Sequence, residues 1–297
     1  MLSKDFTNKE MFRKKYDFLR QNFIFYLTGI LVVLGIKFYY SQADCDSLLW
    51  ILSPTTHWVE FLSKIPFTYV SGTGYVNHSL RLLIAPSCSG VQFMIITAAT
   101  LIFSFVHNIA SPQDRMPFKA SVRIMRGFSW IAASLFISWL FTVLINGLRI
   151  IAAIYLPLSL EDAGLMKGFL TADRLHTMIG VVVYMIALLT IYRLVGYLIC
   201  KKADSIGQFK TASNQGISDV SKTYRKQFPM MFVRKCLQPA FWYFFVTLGL
   251  PFLNRAYVNN TANFTEFAVL IICCAALILL LYFLFSAVRI LLRKKTY

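Results

Sequence analysis

Three residues of this chain have types and settings that suggest chemistry: Cys88, Arg149 and His176. The cysteine lies in Ala85-Pro86-Ser87-Cys88-Ser89-Gly90-Val91-Gln92, where a polar turn runs into a long apolar segment. Pro86 disfavours helix upstream, and Ser89 with Gln92 three residues on has the form of a capping box, so a helix is expected to begin within a residue or two of Cys88. The unpaired N–H groups and the dipole of such a helix start favour thiolate over thiol, the form that attacks carbonyls. Arg149 stands in Ile145-Asn146-Gly147-Leu148-Arg149-Ile150, and His176 in Arg174-Leu175-His176-Thr177-Met178-Ile179-Gly180, each within or at the start of an apolar run. A thiol with an imidazole nearby is the usual pairing for nucleophilic catalysis, and the chemistry it suggests is acyl transfer through a thioester.

The elements that must position these residues are membrane spans. A chain of 297 residues that is 57% hydrophobic and 16% aromatic, with a mean hydropathy of +0.60, has more apolar surface than a soluble domain of its size can bury. The fold expected is therefore an all-α, polytopic bundle of about six transmembrane helices in a lipid bilayer. The net charge of +17 is then topological rather than a nucleic-acid footprint, because membrane proteins concentrate Lys and Arg in cytoplasmic loops. The six cysteines show no C-x-x-C pair and no Cys/His ligand spacing, so no metal, structural zinc or disulfide scaffold is indicated, and no nucleotide-binding glycine loop is present. No cofactor is called for.

Residues 1–21 form a basic, cytoplasmic N-terminal segment leading into a first span over Asn22 to Tyr40, with no cleavage site evident, so that span is expected to stay as an anchor. From Ser41 to Ser87 the chain is acidic and external, with Leu49 to Leu62 an amphipathic interfacial or re-entrant segment too short to span. Further spans are expected over Cys88 to Val106, Phe128 to Tyr155 and His176 to Ile199, completing a four-span core at 22–200. A polar, basic linker at 201–236 separates this core from a C-terminal hairpin and basic tail at 237–297, with spans over Leu237 to Leu253 and Phe264 to Ala287. With both termini inside, the cytoplasmic segments hold 22 Lys and Arg against five outside, a strong positive-inside bias.

This topology brings Cys88, Arg149 and His176 to one leaflet at similar depth. An intramembrane arginine is expensive and by default functional. His107 lies about 28 Å along the helix from Cys88, at the opposite face, and His57 and His78 are external but not fixed by a span beginning beside the cysteine. Asn146, one turn before Arg149, is placed to orient it. Asp173 is either the acid that orients His176 or a solvated loop acid. The blander readings stand beside these: a small buried cysteine or a disulfide with Cys45, an Arg149 that snorkels, and a His176 that is only a polar helix start. At the level of the whole protein the rivals are a transporter or envelope-assembly protein, and a cysteine acyltransferase using a lipid donor.

Pro86-Ser87-Cys88-Ser89-Gly90, Asn146-Gly147-Leu148-Arg149, and His176 with Gly180 resemble the three signatures of the exosortase/archaeosortase family, over roughly Asp44 to Ile199. The layout is also similar to the branch called exosortase K. These are polytopic sorting enzymes of the prokaryotic cytoplasmic membrane, thought to act on exported proteins that carry a C-terminal signal of short motif, transmembrane helix and basic tail. The resemblance implies Cys88 as nucleophile, His176 as the proton-transfer residue and Arg149 as the third essential group; Ser87, Ser89, Asn146 and Asp173 are expected beside them in supporting places. It implies an active site on the outer side of the membrane and a peptidase or transpeptidase reaction whose acceptor is an envelope molecule or water.

Overall fold

The computed structural model describes residues 2–110, 120–162, 170–206, 236–255, 258 and 261–292. It is mostly helical, with α1 at Leu2–Gln42, α2 at Leu49–Ser63, α3 at Val91–Ala110, α4 at Ala120–Asp162, α5 at Ala172–Ile206, α6 at Cys236–Leu253 and α7 at Thr261–Leu292. Among the described residues six helices are long and apolar enough to cross a membrane; α2 is the helix that is not. Most of the linker expected at 201–236 lies outside the described residues.

The helix leading from Cys88 is the centre of the bundle. Within the protein 89% of its span, Pro86–Val106, is buried, against 11% of the last span, Asn263–Val288, so α3 is the core and α7 is an outer helix. α3 packs on α1, α4, α5 and α6, and α7 packs on α5. Small residues allow the closest approaches. A side chain at Gly29 of α1 would reach within 2.9 Å of Ile102, and one at Gly127 of α4 would run into the ring of Phe25. Close packing of this kind is what drives helix association in lipid, where burial of apolar surface gives little. At 43 residues α4 is about 64 Å long, more than the roughly 30 Å hydrocarbon core of a bilayer would require.

The segment between α1 and α3 departs from the all-α expectation. Thr68–Val70, Gly74–Asn77 and Leu82–Ile84 form strands β1, β2 and β3 of a small antiparallel sheet in the order β1-β2-β3. Tyr69 faces Tyr75 and Val76 faces Leu83 in its register. Strands of three or four residues carry too short an alternation to be read from sequence. The tight turn between β1 and β2 depends on Gly72 at φ +74° and Gly74 at φ +127°, where a side chain would also collide with the Ile84 carbonyl. α2 lies against α4: the Trp58 indole N–H donates to the Leu144 carbonyl at 3.2 Å and the Trp139 indole N–H to the Trp50 carbonyl at 3.4 Å. Its inner face, Ile51, Leu52, Thr55, Thr56 and Val59, is fully buried, while Trp50, Phe61 and Leu62 are exposed.

Candidate active site

β3 delivers the chain to a one-turn 3-10 helix, Pro86–Cys88, begun by extended Ala85 with the proline at its first turn, where its missing N–H costs nothing. The Cys88 N–H donates to the Ala85 carbonyl at 2.8 Å and the Ser89 N–H to the Pro86 carbonyl at 3.0 Å. Gly90 then takes φ +74° and α3 starts at Val91, so the helix begins later than the capping-box reading expects. The box itself is not made. The Ser89 hydroxyl meets the Val91 N–H only at 3.5 Å, and the Gln92 amide turns away to the Val246 carbonyl of α6, also at 3.5 Å. The cause lies in α4: a side chain at Gly90 would sit 2.8 Å from Cγ of Asn146 and 3.0 Å from Thr142, so the turn must be a glycine in a left-handed conformation. Cys88 is left half-buried at the mouth of α3, where the free N–H groups of the first helical turn gather.

α4 presents Thr142, Asn146 and Arg149 on one face, at i, i+4 and i+7. Asn146 is completely buried, and its amide bonds at both ends. Its Nδ2 donates to the Cys88 carbonyl at 2.5 Å, and its Oδ1 accepts from the Tyr184 hydroxyl at 2.7 Å and from Arg149 Nη1 at 3.5 Å. Those partners set the amide's orientation, because a carbonyl can only accept and a guanidinium can only donate. α5 contributes His176, Gly180 and Tyr184 at i, i+4 and i+8, again one face. Arg149 Nη2 lies 2.7 Å from His176 Nε2. Since the guanidinium is a donor only, Nε2 is the acceptor, and His176 in this arrangement is the neutral imidazole with its proton on Nδ1. Gly180 makes room for the pair: a Cβ there would stand 3.2 Å from Arg149 Nε. That Nε is buried and has no hydrogen-bond partner among the described residues. The guanidinium carbon lies 5.4 Å from the centre of the Tyr184 ring, and that ring is stacked at 4.4 Å on Phe93, in the first turn of α3.

The structure therefore joins the Cys88 backbone, Asn146, Arg149 and His176 in one hydrogen-bonded chain across three helices. The Cys88 thiol has no hydrogen bond among the described residues, so its link to Arg149 runs through its own carbonyl and Asn146. Asp173 is exposed on the first turn of α5, and no bond joins its carboxylate to His176; its backbone carbonyl accepts the Thr177 hydroxyl at 3.1 Å. Ser87 is exposed and Ser89 buried. Cys45 and Cys88 are both free thiols, Cys45 buried, so the alternative of a disulfide between them is not formed. His57 is exposed and paired with Glu60 at 3.1 Å, away from the network. No family model, curated protein or solved structure matches the chain. The residue that the sequence reading leaves out is Tyr184. The four-residue spacing from His176 through Gly180 is the signal that leads to it.

The C-terminal hairpin packs onto this unit. Arg174, two residues before His176, donates to Glu266 of α7 at 2.6 Å, and Trp242 of α6 stacks on Phe103 of α3 at 4.6 Å. Phe245–Gly249 of α6 is wound as a π-helix, and it is within this stretch that Val246 accepts from Gln92. Insertions of this kind free or shift backbone carbonyls for partners outside the helix.

Proposed function

We propose that the chain is a membrane-embedded cysteine peptidase or transpeptidase, similar to exosortases, that acts at the outer face of a prokaryotic cytoplasmic membrane. The observation that carries this reading is the continuous network from the Cys88 turn through Asn146 and Arg149 to His176. Residues from three helices, separated by 61 and 27 positions in sequence, meet at the start of one helix. A transporter would account for the arginine but gives no reason for a thiol at a helix start on the same network.

In the proposed reaction neutral His176 takes the Cys88 proton as the sulfur attacks a peptide carbonyl of the substrate. Arg149 turns from Nε2 toward the oxyanion, which frees the lone pair that receives the proton. Collapse of the tetrahedral intermediate breaks the C–N bond, and the imidazolium gives its proton to the departing amine. A thioester on Cys88 remains. His176, neutral again, then deprotonates the acceptor, an amine, an envelope molecule or water, and the acyl group leaves the sulfur. The substrates are exported proteins whose C-terminal motif, single apolar helix and basic tail hold the scissile bond at the membrane surface.

Replacing Cys88 with Ala abolishes processing of such proteins in the host membrane, read as their retention at full mass. Undiminished processing by that variant overturns the assignment. Intact mass of the protein during turnover identifies the group carried on Cys88, and a fatty acyl mass in place of a peptide would transfer the reading to the acyltransferase class.

A further inference from the structure

Asn146 is the junction of the site, and the shorter of its two bonds to other side chains comes from α5. The Tyr184 hydroxyl meets Oδ1 at 2.7 Å, whereas the Arg149 contact to the same oxygen is 3.5 Å. Turned over, the amide would set its oxygen against the Cys88 carbonyl and its NH₂ against the guanidinium, two repulsive contacts in place of two bonds. The Cys88 carbonyl and the guanidinium set that sense, and the Tyr184 hydroxyl, bonded at 2.7 Å, fixes where the amide sits between α4 and α5. The Tyr184 ring does a second job, with the guanidinium carbon 5.4 Å from its centre on one side of the network and the ring of Phe93 stacked at 4.4 Å. For packing alone, a phenylalanine would serve as well.

We propose that Tyr184 is a positioning residue for the thiol chemistry: its hydroxyl locks the Asn146 amide that holds the Cys88 turn, and its ring seats Arg149. This rests on the reading of Cys88 as nucleophile. Two structural parts are separable, since Tyr184→Phe removes the lock and keeps the seat, whereas Tyr184→Leu removes both.

The test is the rate at which iodoacetamide alkylates Cys88 in the full-length protein in lipid nanodiscs, followed at the Cys88 peptide by mass spectrometry across pH. Tyr184→Phe slows alkylation at neutral pH about tenfold while thermal unfolding is unchanged, the effect of losing one buried hydrogen bond that matters only to the site. In an Asn146→Ala background the same substitution has no further effect, because the hydroxyl acts through that amide. Tyr184→Leu slows alkylation further than Tyr184→Phe does, because the ring that seats Arg149 is lost together with the hydroxyl. A Tyr184→Phe rate within about twofold of wild type, or an equal cost in both backgrounds, overturns the proposal. Wild-type Cys88 reacting no faster than free cysteine at neutral pH overturns the nucleophile reading and the proposal with it. That outcome is read on the wild type alone, and so is distinguished from a failure of Tyr184.

Discussion

At the scale of single residues, Arg149 is the group whose chemistry the site depends on most narrowly. Its planar fork reaches Asn146 with one nitrogen and His176 with another while its carbon lies over Tyr184. A lysine keeps the charge but is a single point on a flexible stem, and cannot hold both partners and the ring together. Arg149→Lys therefore lowers Cys88 alkylation at neutral pH by about a hundredfold, the loss of two charge-assisted contacts, with the protein still folded in membranes. Alkylation at the wild-type rate would show that charge alone suffices. Cys88, Arg149 and His176 were legible because their types are rare in apolar helices and each marks a polar exception. Tyr184 was not, because a tyrosine in a span ordinarily reads as packing, and its role exists only through Asn146, 38 positions away. Asp173 was read either as the acid that orients His176 or as a solvated loop acid; it is exposed on the first turn of α5, three residues before His176, with no hydrogen bond from its carboxylate to the imidazole.

At the scale of elements, the long apolar helices were legible and the segment between α1 and α3 was not. Hydropathy fixes a span because twenty apolar residues have no alternative in water, whereas the three short strands are defined by turn geometry and by one acidic residue. Asp46 accepts from the Tyr69 and Ser71 hydroxyls and from the Gly72 N–H, clasping β1 and its turn to the start of that segment. The Tyr69 bond, with those of Ser71 and Gly72, holds the Asp46 carboxyl below its ordinary value of 3.8, and the Tyr69 phenol is pushed well above its own. Because the folded carboxyl is the stronger acid, its clasp is complete above the unfolded-state value and is lost as pH falls from about 4 through the lower folded value. Asp46→Asn is expected to lower amide-exchange protection over residues 68–77 at pH 7. It should also remove the acid dependence that the wild type shows in that window. Protection equal to wild type at pH 7 would mean that strand pairing alone holds the turn. Since β3 runs directly into the Cys88 turn, this clasp also bears on how firmly that turn is approached.

At the scale of the whole molecule, one helix is surrounded and the other spans keep half or more of their apolar length exposed. α3 carries the site at its start, and the helices around it supply Asn146, Arg149, His176 and Tyr184 from two directions, while α6 and α7 close the far side. The charge of +17 adds the direction of insertion. The segments that carry most of the Lys and Arg flank the ends of the helices opposite the Cys88 turn, so the positive-inside bias predicts that the turn, α2 and the sheet face outward. Lys64, exposed at the end of α2, and Lys201, exposed near the end of α5, stand on opposite sides in that arrangement. In intact cells a membrane-impermeant maleimide should label Lys64→Cys at once and Lys201→Cys only after permeabilisation, with modification read peptide by peptide. The reverse pattern would put the thiol on the cytoplasmic side, where exported proteins with a basic tail present no scissile bond to it, and the sorting reaction would have to be abandoned even if Cys88 is reactive.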